Sequence, residues 1–152
     1  MSTFTLKLTL KLSPEGAVVQ AVITPSSTDD KSEERELSIR GVLDTGANIT
    51  IIDASVVSLL GLEPVGKELL NSVTTGTKPV WADAYRINVR IAAPGTVESS
   101  YYIRDVMAVS GDLFRMWSDG HQALFGRNVL EHCLFSYNGV LQTFSLTYGG
   151  QG

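Results

Sequence analysis

The sequence contains few of the residues that bind metals or form disulfides. It has one cysteine, Cys133, and two histidines, His121 and His132. A single cysteine excludes an internal disulfide framework and slightly favours a reducing compartment. A metal site needs more ligands at closer spacing, so we expect no metal and no other cofactor. Cys133 precedes an apolar segment, which indicates a buried thiol rather than a nucleophile.

Charged residues and long hydrophobic runs are also scarce. Charged side chains make up 18% of the sequence, the formal net charge is −4, and the basic residues are scattered. A phosphate-binding surface concentrates Lys and Arg, so we expect no nucleic-acid partner. No stretch is long enough to span a bilayer, and residues 1–12 alternate instead of forming the apolar block of a secretory signal. We therefore expect no membrane partner and, by default, a cytoplasmic protein.

Apolar residues recur mainly with the two-residue period of β-strands. The predicted strands are residues 4–12, 17–23, 37–43, 49–52, 67–73, 80–91, 100–109, 134–137 and 140–148. We expect the second strand to pair with the first, which makes an N-terminal hairpin of residues 1–25. Asn138-Gly139 predicts a two-residue hairpin turn between the last two strands.

Two short helices and one long hairpin complete the pattern. Asp53 and Gly61 are start and stop signals for a helix of about two turns, and residues 127–132 are typical of one or two helical turns. The strands at 67–73 and 80–91 flank a tip that contains glycine, which predicts a hairpin. The sequence therefore predicts one domain over residues 1–152 of the all-β class, with one or two short helices.

The most informative residues are the triplet Asp44-Thr45-Gly46, which ends an apolar run and occurs once. A buried carboxylate is costly unless it is paired, hydrogen-bonded or protonated. If a two-fold axis passes beside Asp44, two copies of the chain bring two carboxylates together, and the pair shares one proton. One member then accepts a proton from water while the other donates to a carbonyl oxygen, which is general acid-base hydrolysis of a peptide. Alternatively, Asp-Thr-Gly is a common turn sequence, because Asp hydrogen-bonds its own backbone.

Four segments, in order, resemble the retropepsin-like aspartic proteases, which are single-lobe homodimers. They are the loop at 42–47, a hairpin around 73–77, a strand at 101–109 and a second motif at 123–130. The resemblance covers about residues 37–137, which we take as the core, and leaves 138–152 as a C-terminal strand extension. The long first helix is more similar to cellular and bacterial members than to compact viral ones. The resemblance implies a closed β-barrel or sandwich with a flap hairpin.

The resemblance also implies a role for each matched residue. Asp44 is the expected catalytic residue. Thr45 is expected to hydrogen-bond across the axis to the partner's loop, and Gly46 to let the substrate backbone approach. Asn48 is expected to contact the substrate or Arg127. Ala47 completes the loop. The flap and substrate-binding residues are expected to be Val73, Thr74, Thr75, Gly76, Thr77 and Trp81. The structural second motif is Gly126, Arg127 and Asn128. Trp81 could equally cover the cleft or pack.

The sequence therefore predicts an aspartic endopeptidase whose partners are a second copy of itself and a polypeptide substrate. We expect the hairpin at residues 134–148 to contribute to the dimer interface. Two alternatives remain open: a catalytically silent dimeric peptide-binding or scaffold module on the same fold, and an unrelated β-sandwich interaction domain with a coincidental turn.

Overall fold

β-Strands make up most of the described residues, as the alternating sequence predicts. A computed structural model describes residues 3–26, 35–70, 79–92, 100–111 and 120–151. The strands in these ranges are β1 Thr3–Lys11, β2 Val18–Pro25, β3 Leu37–Leu43, β4 Thr50–Asp53, β5 Gly66–Leu70, β6 Val80–Ala92, β7 Ser100–Gly111, β8 Ala123–Phe125, β9 Cys133–Asn138 and β10 Thr143–Gln151. The helices are α1 Ala54–Leu60 and α2 Arg127–Leu130. The expected mainly-β class with two short helices is confirmed.

Six strands close into a barrel in the order β2-β3-β8-β4-β7-β6, and β6 pairs back on β2. Closure depends on the length of β6. Its first half pairs with β5 through Leu70 and Val80, and its second half pairs with β2 through Ala21 and Ile91. The β5–β6 pairing confirms the two sides of the predicted long hairpin. Its tip lies outside the described residues.

Most of the buried hydrophobic core lies on the barrel strands, and the rest is contributed mainly by β1, β10 and the two helices. Alternate residues point inward and are almost fully buried, among them Ile23 on β2, Val89 on β6 and Ile103 on β7. Burial of each such side chain contributes roughly 1.5–3 kcal/mol relative to exposure. The two-residue period that predicted the strands therefore also fixes which face of each strand lines the core.

The predicted N-terminal hairpin is wrong. β1 pairs along its whole length with β10, from Thr3 with Gln151 to Lys11 with Thr143, and β2 belongs to the barrel. The turn at residues 13–16, with Gly16 at φ 115°, carries the chain from one sheet to the other. A period of two identifies a strand but not its neighbour, so the sequence did not show that β1 and β10 meet. Together with β9 they form a second sheet, in the order β1-β10-β9.

The predicted C-terminal hairpin is confirmed, but its turn is longer than expected. Asn138 pairs with Thr143, so four residues form the loop instead of two. The Asn138 side chain accepts a hydrogen bond from the Leu141 N–H (3.0 Å), and Gln142 has φ 55°. Asn138 therefore acts through its side chain, which stabilises the wider turn.

Helix α1 begins and ends where the sequence predicts. The Asp53 carboxylate accepts hydrogen bonds from the Ser55 N–H (3.0 Å) and hydroxyl (2.6 Å), and Gly61 ends the helix in the left-handed conformation at φ 60°. These are the usual caps of a short helix. No helix in the described ranges is long and apolar enough to cross a membrane.

Candidate active site

Asp44 lies where β3 ends, beside the end of the parallel strand β8. Leu43 is in register with Phe125, and the Asp44 N–H donates to the Phe125 carbonyl (2.9 Å). β8 separates β3 from β4 in the sheet. The chain that leaves β3 must therefore cross the end of β8 before it returns as β4. This crossing forms the catalytic-loop candidate, residues 44–49.

The Asp44 carboxylate is held in a tight turn. Its Oδ1 accepts a hydrogen bond from the Gly46 N–H (2.8 Å), and its carbonyl accepts one from the Ala47 N–H (3.3 Å). The side chain is half-buried, whereas Thr45 and Asn48 are exposed. Among the described residues, no other group hydrogen-bonds this carboxylate. One oxygen is therefore oriented by the backbone, and the other is available to water or a second carboxyl group.

Gly126 lies in close contact with the backbone of the catalytic-loop candidate. A Cβ atom at this position would lie 2.6 Å from the Ile49 carbonyl oxygen and 2.8 Å from that of Ala47. The next residue, Arg127, donates its N–H to the same Ala47 carbonyl (2.7 Å). Only glycine allows the two segments to approach this closely.

Arg127 also contacts the triplet through its side chain. Its Nη1 donates to the Thr45 carbonyl (2.9 Å). A charged donor strengthens such a bond and holds the loop backbone in place. Asn48 was expected to contact the substrate or Arg127. Both residues are described, and no hydrogen bond joins them.

Thr50 was not singled out from the sequence, yet it joins the two motifs. It is fully buried, its hydroxyl donates to Asn128 Oδ1 (2.7 Å), and it accepts from the Gly126 N–H (3.2 Å). Asn128 in turn donates Nδ2 to the Met107 carbonyl (2.6 Å). The one available signal was a polar residue inside an apolar run, Ile49-Thr50-Ile51-Ile52. The structure thus places Asp44, Thr45, Gly46, Ala47, Gly126, Arg127 and Asn128 in one hydrogen-bonded unit.

The predicted flap residues are only partly placed. Val73, Thr74, Thr75, Gly76 and Thr77 lie outside the described residues. Trp81 is in register with Leu69 on β5, and 65% of its surface is exposed. A side chain this exposed does not pack in the core of the described chain. Of the two interpretations of Trp81, packing is therefore removed and covering the cleft stays a prediction.

The histidines and the cysteine, all within the described ranges, do not form a metal or nucleophile site with described residues. Burial raises the pKa of the Cys133 thiol to about 11, so this thiol stays protonated near neutral pH. His121 is buried and lies 3.7 Å from the Glu15 carboxylate. Within the part of the chain that the structure describes, no three His, Cys, Asp or Glu side chains are grouped to hold a metal ion.

A model of the aspartyl protease family matches residues 32–129, a range that contains the first motif and residues 123–129 of the second. The chain belongs to the aspartyl protease family. Its fold is similar to that of a retropepsin-like aspartic protease from Rickettsia conorii, with a TM-score of 0.62 and 14% identity over 99% of this chain and 98% of that one. The resemblance inferred from the sequence, and the retropepsin-like fold it implied, are therefore confirmed.

A second similar structure is an aspartic proteinase from Irpex lacteus, with a TM-score of 0.52 and 14% identity. The alignment covers 99% of this chain but only 48% of the fungal one. Identities this low establish the fold alone. No curated protein sequence matches this chain.

Proposed function

We propose that this member of the aspartyl protease family is an endopeptidase that works as a homodimer, in which Asp44 of each copy supplies one carboxyl group. The observation that carries the proposal is the supported Asp44 turn. It presents one hydrogen-bonded and one available carboxylate oxygen at the end of a rigid barrel strand. Gly46, Gly126 and Arg127 restrain the loop, as a pre-organised catalytic group requires.

The need for two copies follows from the count of carboxyl groups. The chain has one Asp-Thr-Gly triplet, whereas acid-base hydrolysis requires one group that accepts a proton and another that donates one. One copy also aligns with only 48% of the fungal proteinase, as expected if two copies correspond to that chain. Thr45 is exposed beside Asp44, where its hydroxyl is accessible to a second copy.

The proposed reaction uses the shared proton of the pair. The ionised Asp44 takes a proton from water as the water oxygen bonds to the peptide carbonyl carbon. The protonated Asp44 of the other copy gives its proton to the carbonyl oxygen. The resulting diol collapses when the first Asp44 gives its proton to the amide nitrogen and the C–N bond breaks. The Asp44 of the other copy takes a proton from one diol hydroxyl as the carbonyl reforms, which restores the starting pair. No covalent enzyme intermediate forms.

The substrate is proposed to lie extended between the loop and the β5–β6 hairpin. Trp81 and Leu69 form an exposed apolar pair on that hairpin, on strands directly opposite each other. An extended peptide pairs with strand backbone and places alternate side chains in pockets. We therefore assign Trp81 to substrate contact, together with residues 73–77, which lie outside the described ranges.

The dimer interface is proposed to include β9 and the loop that follows it. In the described structure, one edge of β9 pairs with β10 and the other has no strand beside it. Large apolar side chains on β9 and its loop are exposed: Leu134, Tyr137, Val140 and Leu141, with Val140 at 93%. A free edge next to exposed apolar residues favours association with another chain. β9 also follows α2 directly, and Arg127 of α2 contacts the Asp44 loop.

Cleavage of a diverse peptide library at several pH values, mapped by mass spectrometry, tests the activity. We expect Asp44→Asn to abolish cleavage and leave the circular dichroism spectrum unchanged, and a statine-type inhibitor to block the parent protein. Asp105→Asn is the control, because it removes one carboxylate from an exposed ion pair with Arg86 (3.1 Å) at a residue whose positive φ suits Asn. Unchanged cleavage by Asp44→Asn would refute the proposal. Peptide binding without turnover would favour the silent module.

Sedimentation tests the interface separately. We expect Leu134→Asp to convert the dimer to a monomer and to lower activity with it, because a charge would be buried in the proposed interface. Leu59→Asp is the matched control, since Leu59 on α1 is 67% exposed and Leu134 is 68% exposed. An intact dimer in the Leu134→Asp variant would exclude β9 from the interface.

A further inference from the structure

The outer face of the barrel contains a cleft that the proposed reaction does not use. Three of its lining residues form a row across adjacent strands: Val22 pairs with Arg90, and Arg90 pairs with Tyr102. Thr24 and Arg104 lie two positions further along β2 and β7, and Glu36 borders the opening. The cleft has a volume of about 370 Å³. This size is within the range of sites for small molecules, roughly 300–1,000 Å³.

The cleft is rigid because its walls are barrel strands. The residues that alternate with the lining residues, such as Ile23, Val89 and Ile103, are buried in the core. The lining side chains therefore project from backbone that is fixed by packing on its other face. Sites built on strands hold their groups more precisely than sites built on loops.

Two guanidinium groups reach this cleft, and neither makes a close ion pair with a carboxylate of the described residues. The Arg104 guanidinium stacks over the Tyr102 ring at 4.9 Å from its centroid, and no described carboxylate lies within ion-pair distance of it. Arg90 lies 3.8 Å from the Glu36 carboxylate. That distance exceeds the roughly 2.7–2.9 Å of a charge-assisted hydrogen bond. By contrast, Arg86 on the same strand pairs closely with Asp105 at 3.1 Å.

We propose that this cleft binds the oxyanion group, carboxylate or phosphate, of a small molecule. Arg90 and Arg104 supply planar pairs of donors that match such a group, and the hydroxyls of Thr24 and Tyr102 supply further hydrogen bonds. The stacking on Tyr102 restrains Arg104 before a ligand arrives, which lowers the entropy lost on binding. The cleft thus contains two cationic side chains, Arg90 and Arg104, although the net charge of the chain is −4.

This site is distinct from the catalytic loop. Ile23, which lies between Val22 and Thr24, pairs with Leu37 at the beginning of β3, whereas Asp44 follows the other end of that strand. β3 has seven residues. At about 3.3 Å per residue the two sites are roughly 20 Å apart. Ligand binding in the cleft therefore does not depend on peptidase activity.

Titration of the full-length chain with inorganic phosphate and, separately, with succinate tests the site. Amide chemical shifts in two-dimensional NMR report the position and affinity of each anion, with ionic strength held constant by sodium chloride. We expect saturable shifts at residues 22–24, 90 and 102–104 for at least one anion. Tighter binding of phosphate would assign a phosphate-bearing ligand, and tighter binding of succinate a carboxylate-bearing one.

The variants distinguish a site from general charge attraction. We expect Arg90→Gln combined with Arg104→Gln to weaken binding at least tenfold, and Arg104→Gln alone to weaken it by a smaller factor. Arg40→Gln is the matched control, because Arg40 is exposed on the same outer face and lies outside the cleft. The affinity of this variant for the anion should stay within twofold of that of the parent protein. Equal loss in the control and the double variant, or no saturable shifts for either anion, would overturn the proposal.

Discussion

Replacing Gly126 with alanine tests whether the second motif determines the position of the catalytic loop. The added Cβ would lie 2.6 Å from the Ile49 carbonyl oxygen, 2.7 Å from its carbon and 2.8 Å from the Ala47 carbonyl oxygen. All three atoms are backbone, so no flexible side chain can move aside. Gly126 has φ −89° and ψ −170°, which alanine adopts without strain. Any loss of stability therefore comes from the collision.

The size of the effect follows from two opposing contributions. Overpacking of a close-packed region costs about 1–3 kcal/mol. Alanine also restricts the unfolded chain relative to glycine, which stabilises the folded state by roughly 0.4–1 kcal/mol. We therefore expect a net loss of about 1–2 kcal/mol in the free energy of unfolding. Since the backbone at Ala47 and Ile49 must shift, Asp44 is displaced, and the cleavage rate of folded protein should fall about tenfold or more.

Urea denaturation compared with Gly66→Ala, and peptide cleavage compared with the parent protein, measure these effects. Gly66 has nothing within 4 Å of its hypothetical Cβ and no positive φ, so that control should keep stability within about 0.5 kcal/mol or gain slightly. If Gly126→Ala matched Gly66→Ala in stability and the parent protein in cleavage, the close contact would have no role in placing Asp44.

Three further predictions concern stability. Thr50→Val should destabilise the fold by about 1–3 kcal/mol in urea denaturation, because the Gly126 N–H loses its buried acceptor. Thr50→Ser keeps the hydroxyl and should retain most of the stability. Equal loss of stability in the two variants would exclude this role of the hydroxyl. Asp53→Ala should cost about 1 kcal/mol in the same assay through loss of the α1 cap, and no change would contradict the capping role. Burial raises the pKa of Cys133 to about 11 and of Tyr101 to about 12. The unfolded chain therefore loses these protons at a lower pH than the folded chain does. The urea midpoint should fall as pH rises above 9, and it should fall less in Cys133→Ala. A pH-independent midpoint would contradict this linkage.

The parts of the site that could be predicted from the sequence are those encoded in short segments. Asp44 and Gly126-Arg127 each lie in a motif that follows an apolar strand, and helix α1 has local start and stop signals at Asp53 and Gly61. Local sequence is sufficient here because the residues that determine each feature are close together in the chain.

Features that depend on distant residues could not be predicted. The partner of β1 is β10, at the other end of the chain, and alternation gives no information about pairing. Thr50 joins the two motifs only because Asn128, 78 positions later, accepts its hydrogen bond. The four-residue loop after Asn138 is a local exception. It depends on a hydrogen bond from the Leu141 N–H to the Asn138 side chain, which a two-residue Asn-Gly turn does not contain.

The most direct test of the central claim is a tandem protein, in which two copies of the chain are joined by a flexible linker and one copy carries Asp44→Asn. If both Asp44 carboxyl groups form one site, the unmodified tandem protein cleaves peptide, and the single substitution lowers the rate by about a hundredfold or more, whichever copy carries it. If each copy hydrolysed peptide with its own Asp44, the singly substituted tandem protein would keep about half of the rate, and this result would contradict the account.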